Sequence, residues 1–330
     1  MQRRRFLGAA GASLAAGSLG VSGCLPVPIG TRPARGEAEA PIDAAAFHAM
    51  RRFADTSFGR IAYIERGSGD AALFIHGFPL NGFQWRGVVS ALAPYRRCIA
   101  PDLMGLGYSE ILETQSVAPD AQAGMLAALL DRLSIRTVDL VASDSGGAVA
   151  QLFVARHPER VRTLLLTNCD VEIDSPPPAF LPVIAQARAG TFADLALAGA
   201  IADKQRARGA DGIGGIAYTF RAHPTDEAID CYFAPLVSSP LRKAQVHAYA
   251  IALERNPLAG VEAALRQCRV PVRIVWGTAD RIFSQESPVY LDRIFPQSRG
   301  VRRVRDAMLF FPEEFPEIVA EEAARLWGAA

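Results

Sequence analysis

Two adjacent side chains in the segment LVASDSGGAVAQ, residues 140–151, could act as nucleophiles. They are Asp144 and Ser145, and the segment has the form of a strand that turns sharply into a helix. Such a turn exposes the side chain at its apex only if the residues two positions before and after it are small. Both candidates meet this condition, with the flanking pairs Ala142 and Gly146 for the aspartate and Ser143 and Gly147 for the serine. Spacing alone therefore leaves the two side chains as alternatives.

The two side chains would perform different chemistry. An aspartate with an ordinary pKa of about 3.9 is ionised at neutral pH, so Asp144 could attack an electrophilic saturated carbon without a base. The product would be an alkyl ester of the aspartate, which water must then open. The hydroxyl of Ser145 would instead attack an acyl carbon, and it needs a neighbouring base to remove its proton. Either reaction therefore requires a group that activates water.

Supporting carboxylates follow two of the predicted strands. Asp280 comes after a late apolar run, and Asp170, with Glu172 close behind, comes after the strand at residues 161–167. Both are candidates for a supporting acid, and the family resemblance described below implies Asp280 as this acid and Asp170 as the alternative acid. No histidine occurs after His247, so the last quarter of the chain cannot supply a histidine base.

The elements that must position these side chains alternate along the chain. Apolar strand-like runs are separated by segments with helical spacing, and they lie at residues 72–75, 98–100, 138–142, 161–167 and 272–276. This alternation predicts an α/β fold with a mostly parallel, doubly wound sheet that carries helices on both faces. The alternation breaks at residues 172–256. This break predicts a helical cap inserted between two parts of one core, residues 51–171 and 257–330.

The first fifty residues carry signals of export. Residues 1–23 combine a cationic start with a Gly- and Ala-rich apolar run that is too short for a spanning helix, as is typical of a secretory signal. The stretch RRRFL at residues 3–7 resembles the twin-arginine export motif, and VSGC at residues 21–24 resembles a lipobox. These resemblances imply cleavage before Cys24, lipidation of that cysteine and a periplasmic protein anchored to the membrane. Residues 24–50, rich in Pro, Gly and Ala, are predicted to form a tether.

Composition argues against several other classes of protein. The chain is 50% hydrophobic and carries a formal net charge of +1, so we expect no basic surface for nucleic acid. The cysteines after Cys24 are not spaced as metal ligands, and we predict neither a metal site nor a cofactor. The expected partner is a small-molecule substrate.

Several motifs occur together in the order found in the α/β-hydrolase family, which the chain resembles over residues 52–329. They are HGFP at residues 76–79, PDLMGLGYS at 101–109, the segment with Asp144, WGTAD at 276–280 and FPEEFP at 311–316. In this family the nucleophile stands two residues before a glycine pair, and that phase places Asp144 at the apex. The resemblance is to the branches with an aspartate nucleophile, the haloalkane dehalogenases and epoxide hydrolases. It implies that the backbone N–H groups of Phe78 and Ser145 form the oxyanion hole.

The chain departs from the family where the water-activating base should be. The family has a histidine just before the last helix, and alignment of the Pro-Glu-Glu run that follows places Leu309 at that position. Leucine can neither accept a proton nor orient water. His223 and His247 lie in the predicted cap and could reach a pocket only from there. The residues predicted to form the substrate pocket are His76, Trp85 and Phe310.

We therefore predict a hydrolase that attacks the electrophilic carbon of a small apolar substrate, an alkyl halide or an epoxide, through Asp144. Its turnover is expected to be impaired because Leu309 stands in place of the histidine. Three tyrosines of the cap could polarise an epoxide oxygen, and they are Tyr218, Tyr232 and Tyr249. Two alternatives remain open. One is a non-catalytic protein of this fold that binds small molecules, and the other is an esterase that uses Ser145.

Overall fold

The computed structural model describes residues 42–329, and the predicted signal, Cys24 and most of the predicted tether lie outside them. The described residues form one eight-stranded sheet with helices between the strands. The strands are β1 Arg52–Thr56, β2 Gly59–Arg66, β3 Ala71–Ile75, β4 Arg97–Pro101, β5 Val138–Asp144, β6 Val161–Cys169, β7 Val272–Gly277 and β8 Ser298–Val304. The α-helices are α1 Ala44–Met50, α2 Arg86–Leu92, α3 Pro119–Arg132, α4 Ser145–Arg156, α5 Leu181–Arg188, α6 Gly199–Ala202, α7 Lys204–Arg208, α8 Ile213–Ala217, α9 Asp226–Val237, α10 Pro240–Ala252, α11 Glu262–Leu265, α12 Ser287–Ile294, α13 Phe311–Glu314 and α14 Pro316–Leu326.

The sheet has the strand order β1-β2-β4-β3-β5-β6-β7-β8. Strand β2 pairs antiparallel with β1 and β4. The remaining neighbours in this order, from β4 through β3 and β5 to β8, are all parallel. Every residue of β3 and β5 is buried, as expected for central parallel strands that are covered by helices on both faces. The predicted α/β fold class is confirmed. Because the carboxyl ends of parallel strands meet at one edge, the residues after β3, β5, β6 and β7 come together there.

A helical insertion lies between β6 and β7. Its helices α5 to α10 cover residues 181–252, inside the range where the sequence alternation breaks. Two of its aromatic side chains contact the loop that follows β3. Tyr232 of α9 packs edge-on against Phe83, and Tyr249 of α10 stacks on Phe78 with ring centroids 5.6 Å apart. The insertion therefore covers the carboxyl edge of the sheet.

The prediction of a tether up to residue 50 is wrong for residues 42–50. This segment contains α1, Ala44–Met50, which begins at the N-cap Asp43. Phe47 is buried, and its ring packs edge-on against Phe83 with centroids 5.2 Å apart. The alanines of this segment favour a helix, and burial of the phenylalanine attaches the helix to the core.

Several features can be stated for residues 42–329 only. Cys98, Cys169, Cys231 and Cys268 are buried free thiols. In this range no helix has both the length and the apolar character that crossing a membrane requires. The same residues contain no group of three or more His, Cys, Asp or Glu side chains that could hold a metal ion.

Candidate active site

Asp144 stands at the apex of the turn between β5 and α4. It is the last residue of the strand, and its backbone has φ 57° and ψ −138°, a conformation that L-residues rarely adopt. Ser145 is the first residue of the helix that follows. Gly146 is required here because a Cβ at that position would lie 2.4 Å from the carbonyl oxygen of His76. The structure therefore places the aspartate, and not the serine, at the strained position of the turn.

Two backbone N–H groups hold one oxygen of the Asp144 carboxylate. Phe78 donates to Oδ1 at 3.0 Å, and Ser145 donates to the same oxygen in a short hydrogen bond. The Phe78 N–H comes from the loop after β3, and the Ser145 N–H lies at the start of α4, where the helix dipole favours negative charge. The two N–H groups predicted to form the oxyanion hole are thus side by side at Asp144.

The carboxyl group of Asp144 lies in a mostly apolar environment. Burial raises its pKa to about 6, and hydrogen bonds from Ser145 and Phe78 oppose this rise. The sequence argument used the pKa of an exposed aspartate, about 3.9, and burial corrects that value. Asp144 is still ionised for the most part at neutral pH, which is the form that can attack carbon.

The hydroxyl of Ser145 is engaged by the cap. Its Oγ lies 3.1 Å from the hydroxyl oxygen of Tyr249, and either group can be the donor. Tyr249 is buried, and its ring stacks on Phe78 at an interplanar angle of 17°. Burial raises the pKa of Tyr249, so this phenol stays protonated at neutral pH and cannot serve as a base for the serine.

The two candidate acids occupy different environments. Asp280 accepts from the Ile282 N–H at 2.8 Å through Oδ1 and from Nδ2 of Asn168 at 2.6 Å through Oδ2. It lines a smaller pocket of about 380 Å³. Burial raises its pKa to about 6. Asp170 accepts from the Ser175 hydroxyl at 2.8 Å, and burial together with the charge of Asp144 raises its pKa to about 7.

A cavity of about 760 Å³ lies between the carboxyl edge of the sheet and the cap. Asp144, Ser145 and Asp170 line it, together with apolar residues of the insertion and of the loops beneath. Its aromatic lining consists of Phe78, Phe180, Phe192, Phe233, Phe283 and Phe310. A concave, apolar site with a few converging polar groups is typical of a pocket for a small molecule.

Leu309 forms part of the wall of this cavity and is 1% exposed. It lies between β8 and α13, and hydrogen bonds to the cap hold the residues on either side of it. The Met308 N–H donates to Thr219 Oγ1 at 3.1 Å, and the Phe310 N–H donates to the Ala217 carbonyl oxygen at 2.9 Å. An aliphatic side chain is therefore fixed in the wall of the cavity that Asp144 also lines.

The prediction that His76 and Trp85 form the substrate pocket is wrong, whereas Phe310 does line the cavity. Neither of the first two residues is in the cavity wall. The His76 ring is fully buried. Its Nε2 accepts from the Leu103 N–H at 2.9 Å, its Nδ1 lies 2.9 Å from the Gly77 carbonyl oxygen, and burial lowers its pKa to about 4. Trp85 is fully buried in the core, 5.8 Å from the ring of Phe74.

None of the five histidines, all of which lie within residues 42–329, lines the cavity. His247 on the cap accepts a hydrogen bond from the Ala193 N–H at 3.0 Å through Nε2, so that nitrogen is engaged. His157 is partly exposed beside Glu159. Within the described chain, no histidine is therefore placed to activate water at Asp144.

Sequence reasoning missed a buried polar cluster that joins cap and core. Glu313 accepts from the hydroxyl groups of Tyr218 at 2.7 Å and Tyr232 at 2.9 Å, and it forms an ion pair with Arg86 at 2.8 Å. The hydroxyl groups of both tyrosines are thus engaged by this carboxylate, and neither tyrosine lines the cavity. Of the three cap tyrosines, Tyr249 is the one that contacts Ser145 at the turn between β5 and α4. No local signal marks the cluster, because its members lie far apart in the sequence.

The fold and the sharp turn between β5 and α4 agree with one known family, whose model the sequence matches over residues 71–311. The chain belongs to the α/β-hydrolase fold family. The predicted resemblance is thus confirmed. In the curated collection of proteins, a haloalkane dehalogenase of Mesorhizobium japonicum is 44% identical over 108 residues, 31% of this chain and 33% of that protein. A cis-3-alkyl-4-alkyloxetan-2-one decarboxylase of Shewanella oneidensis is 33% identical over 121 residues, 36% of this chain and 38% of the relative. The matched segments therefore span little more than a third of these relatives.

Solved structures share the fold over most of the α/β-hydrolase chain. A putative ancestral haloalkane dehalogenase superposes with a TM-score of 0.69 at 23% identity, covering 84% of this chain and 100% of that one. An epoxide hydrolase gives 0.67 at 22% identity, covering 84% and 98%. A thermophilic esterase from Thermogutta terrifontis gives 0.66 at 25% identity, covering 84% and 97%. These likenesses establish the architecture, and the chemistry has to be argued from the site.

Proposed function

We propose that this α/β-hydrolase attacks an electrophilic carbon of a small, mostly apolar substrate through Asp144 and forms a covalent alkyl ester. One observation carries the proposal. The Asp144 carboxylate stands at the strained apex of the turn, and two N–H groups hold its Oδ1 at the wall of an apolar cavity. A carboxylate held in this way has one oxygen fixed and the other available as the attacking atom.

The first step needs no base. The attacking oxygen of Asp144 forms a bond to the substrate carbon while the bond from that carbon to its leaving group breaks, and the leaving group takes the electron pair. A halide departs as an ion, whereas an epoxide oxygen remains attached as an alkoxide that needs a proton. In the second step, water opens the ester through a tetrahedral oxyanion, which the N–H groups of Phe78 and Ser145 stabilise.

The polar groups at the site favour an epoxide over an alkyl halide. The paired hydroxyl groups of Ser145 and Tyr249 lie beside the nucleophile turn, and the serine lines the cavity. This pair can hydrogen-bond to an epoxide oxygen and supply the proton that ring opening requires. Ser145 and Phe78 stand where haloalkane dehalogenases typically carry tryptophan and asparagine to hold the halide. A halide would therefore find weaker stabilisation here.

A second candidate function is reversible binding of a small apolar molecule without chemistry. It is favoured by the aliphatic side chain of Leu309 in the cavity wall and by the lack of any histidine there among residues 42–329. Under our proposal the same feature makes ester opening slow, so the covalent intermediate should accumulate. The two functions therefore differ in whether a covalent adduct forms.

The test is intact-mass spectrometry after incubation with styrene oxide or 1-bromohexane. Wild-type protein should gain the mass of one bound electrophile, and peptide mapping should locate it on Asp144. Asp144→Asn should gain none, while Asp174→Asn is a matched control in a nearby loop that should react like wild type. Reversible binding of styrene oxide without an adduct would establish the binding function instead. An acyl adduct on Ser145 after treatment with p-nitrophenyl butyrate would establish the esterase.

We also propose that the protein is exported and anchored through a lipid on Cys24. The support is the order of signals in residues 1–24, in which a cationic start and a short apolar run precede a small-residue triplet and a cysteine. Palmitate labelling and fractionation test this proposal. Wild-type protein should be labelled and membrane-bound, and Cys24→Ala should be unlabelled and released. A labelled Cys24→Ala protein would contradict it.

A further inference from the structure

Two buried carboxylates face the same cavity, and they come from adjacent strands. Asp144 ends β5, and its register partner on β6 is Cys169, so Asp170 immediately follows that pair. Both aspartates line the large cavity, whereas Asp280 does not. Asp280 has both oxygens engaged, by the Ile282 N–H and the Asn168 side chain. Asp170 is therefore the second buried carboxylate that water in the cavity can reach.

We infer that Asp170 is the catalytic base that activates water to open the Asp144 ester, and this inference rests on the proposed function. Leu309 cannot accept a proton, and the phenol of Tyr249 is held protonated by its buried surroundings. Arg206 lines the cavity as a cation, and Asp211 lines it from an exposed cap loop. The titratable and charged groups that act on Asp170 itself are Asp144, Asp174, Cys169 and Tyr249. Asp170 alone combines basicity, burial and access to the cavity beside Asp144.

Hydrogen bonds fix the position of Asp170. The Ser175 hydroxyl donates to its Oδ1 at 2.8 Å. The backbone carbonyl oxygen of Asp170 accepts from Nε2 of Gln151 at 2.8 Å, which ties the residue to α4. With Oδ1 taken by Ser175, the second carboxylate oxygen is the one that would accept a proton from water.

The charge of Asp144 contributes to the protonation state of Asp170. Burial raises the pKa of Asp170 to about 7, and the negative charge of Asp144 is the second cause of that rise. Ester formation converts Asp144 into a neutral group and removes this repulsion. The pKa of Asp170 must then fall, so a larger fraction of Asp170 is ionised at neutral pH once the ester has formed. More of the base is therefore available at the step that needs it.

The proposed second step balances without any further reactant. Asp170 takes one proton from water as the water oxygen bonds to the carbonyl carbon of the Asp144 ester, and the carbonyl electrons move to oxygen. When the oxyanion collapses, the bond from the acyl carbon to the alkoxy oxygen breaks. Asp170 returns the proton to the departing alkoxide, which leaves as the alcohol. Asp144 is left as a carboxylic acid that keeps the oxygen of the water, and it becomes a carboxylate again when it loses the second proton of that water to solvent.

The experiment isolates this step from ester formation. Protein loaded with 1-bromohexane is freed of excess reagent, and loss of the adduct is followed by intact mass between pH 5 and pH 9. In Asp170→Asn the ester should form as in wild type but disappear at least about 100-fold more slowly, the scale of general-base catalysis. Asp174→Asn, which removes a neighbouring carboxylate, should lose the ester within about threefold of the wild-type rate.

The pH profile separates a base from a structural residue. In wild type, ester loss should accelerate with pH up to a plateau, because only ionised Asp170 accepts the proton. This dependence should vanish in Asp170→Asn. Ser175→Ala removes a hydrogen bond that lowers the pKa of Asp170, so its profile should keep its shape and move to higher pH. In oxygen-18 water, the label should enter the Asp144 carboxylate and not the alcohol.

The outcomes keep the two proposals apart. Ester loss from Asp170→Asn at the wild-type rate, or a larger slowing in Asp280→Asn, overturns the role of Asp170 while the nucleophile stands. If wild type turns over without visible ester, Asp170→Asn must accumulate it, and failure to do so likewise overturns the role. Absence of both ester and hydrolysis product in wild type, with 1-bromohexane and with styrene oxide alike, overturns the proposed function itself.

Discussion

The backbone N–H of Phe78 donates to Oδ1 of Asp144 at 3.0 Å, although 66 positions of the chain separate the two residues. The contact follows from sheet topology. Strands β3 and β5 are parallel neighbours, so the loop after one and the turn after the other meet at the carboxyl edge. The Asp144 carboxylate is thus oriented by backbone groups at the carboxyl edge of the sheet, and its geometry depends on close approach of two main-chain segments.

Gly77→Ala should abolish ester formation. A Cβ at Gly77 would lie 2.3 Å from the Cβ and 2.8 Å from Oδ1 of Asp144, so the added methyl group must displace the carboxylate from its N–H donors. We expect ester formation with styrene oxide to fall at least about 100-fold, with a loss of about 1–3 kcal/mol in the free energy of unfolding from overpacking. Intact mass and urea denaturation measure the two effects.

Gly69→Ala is the control for that experiment. Gly69 has φ +85°, and a Cβ there would meet nothing within 4 Å. An alanine at this position costs about 1 kcal/mol of stability through backbone strain, and it is remote from the site. Its ester formation should equal that of wild type. If Gly77→Ala reacted as fast as this control, the close approach of the two segments would have no role in orienting Asp144.

Ester formation should depend on the ionisation of Asp144 and should not require the Ser145 hydroxyl as a nucleophile. Because burial raises the pKa of Asp144 to about 6, the rate with 1-bromohexane should rise with pH through about 6 and level off near neutrality. Ser145→Ala removes a side-chain hydrogen bond that lowers this pKa, so its profile should shift to higher pH. At pH 8 its rate should stay within about threefold of wild type. A complete loss of adduct in this variant at pH 8 would favour the serine.

The fold was predictable from sequence because its signals are local. Apolar strand runs and helical spacing repeat along the chain, and the cap appears as a break in that repeat. The choice between Asp144 and Ser145 was different, because both have small neighbours at the required spacing. Only the spacing between the nucleophile and the glycine pair in the family separated them. The positive φ of Asp144 is a backbone property that no local sequence pattern indicates.

The parts of the site that were mispredicted depend on the direction of side chains. His76 and Trp85 lie in or near a motif of the oxyanion loop, but their side chains point into the core, where hydrogen bonds and ring contacts engage them. Asp170 and Asp280 both follow strands that end at the site, so the sequence could not rank them by access to the cavity. That ranking needed the hydrogen bonds that take up both oxygens of Asp280.

Leu309→His should accelerate ester opening. The side chain at this position lines the cavity that Asp144 faces, so an imidazole there could activate water. We expect ester loss to become about 100-fold faster than in wild type at pH 8, when the histidine is neutral. Adduct decay by intact mass measures the effect.

Leu309→Gln is the matched control, because glutamine is polar but has no basic nitrogen. It should leave ester loss within about threefold of wild type. Equal acceleration by glutamine and histidine would mean that a polar wall, and not a base, was missing. No acceleration by histidine would show that a side chain at position 309 does not reach the ester, although it lines the cavity.

Glu313→Gln should weaken the attachment of the cap to the core, and it should do so before it changes the reaction at Asp144. The Glu313 carboxylate is buried, accepts from Tyr218 and Tyr232 and pairs with Arg86, so an amide would leave a largely buried guanidinium without its counter-charge. Breaking a buried pair in this way costs about 3 kcal/mol, and the thermal midpoint should fall by several degrees. Glu321→Gln is the control, because Glu321 pairs with arginines at the protein surface and its loss should change the midpoint little. Calorimetry of the two variants decides the point, and equal midpoints would contradict a stabilising role for the buried cluster.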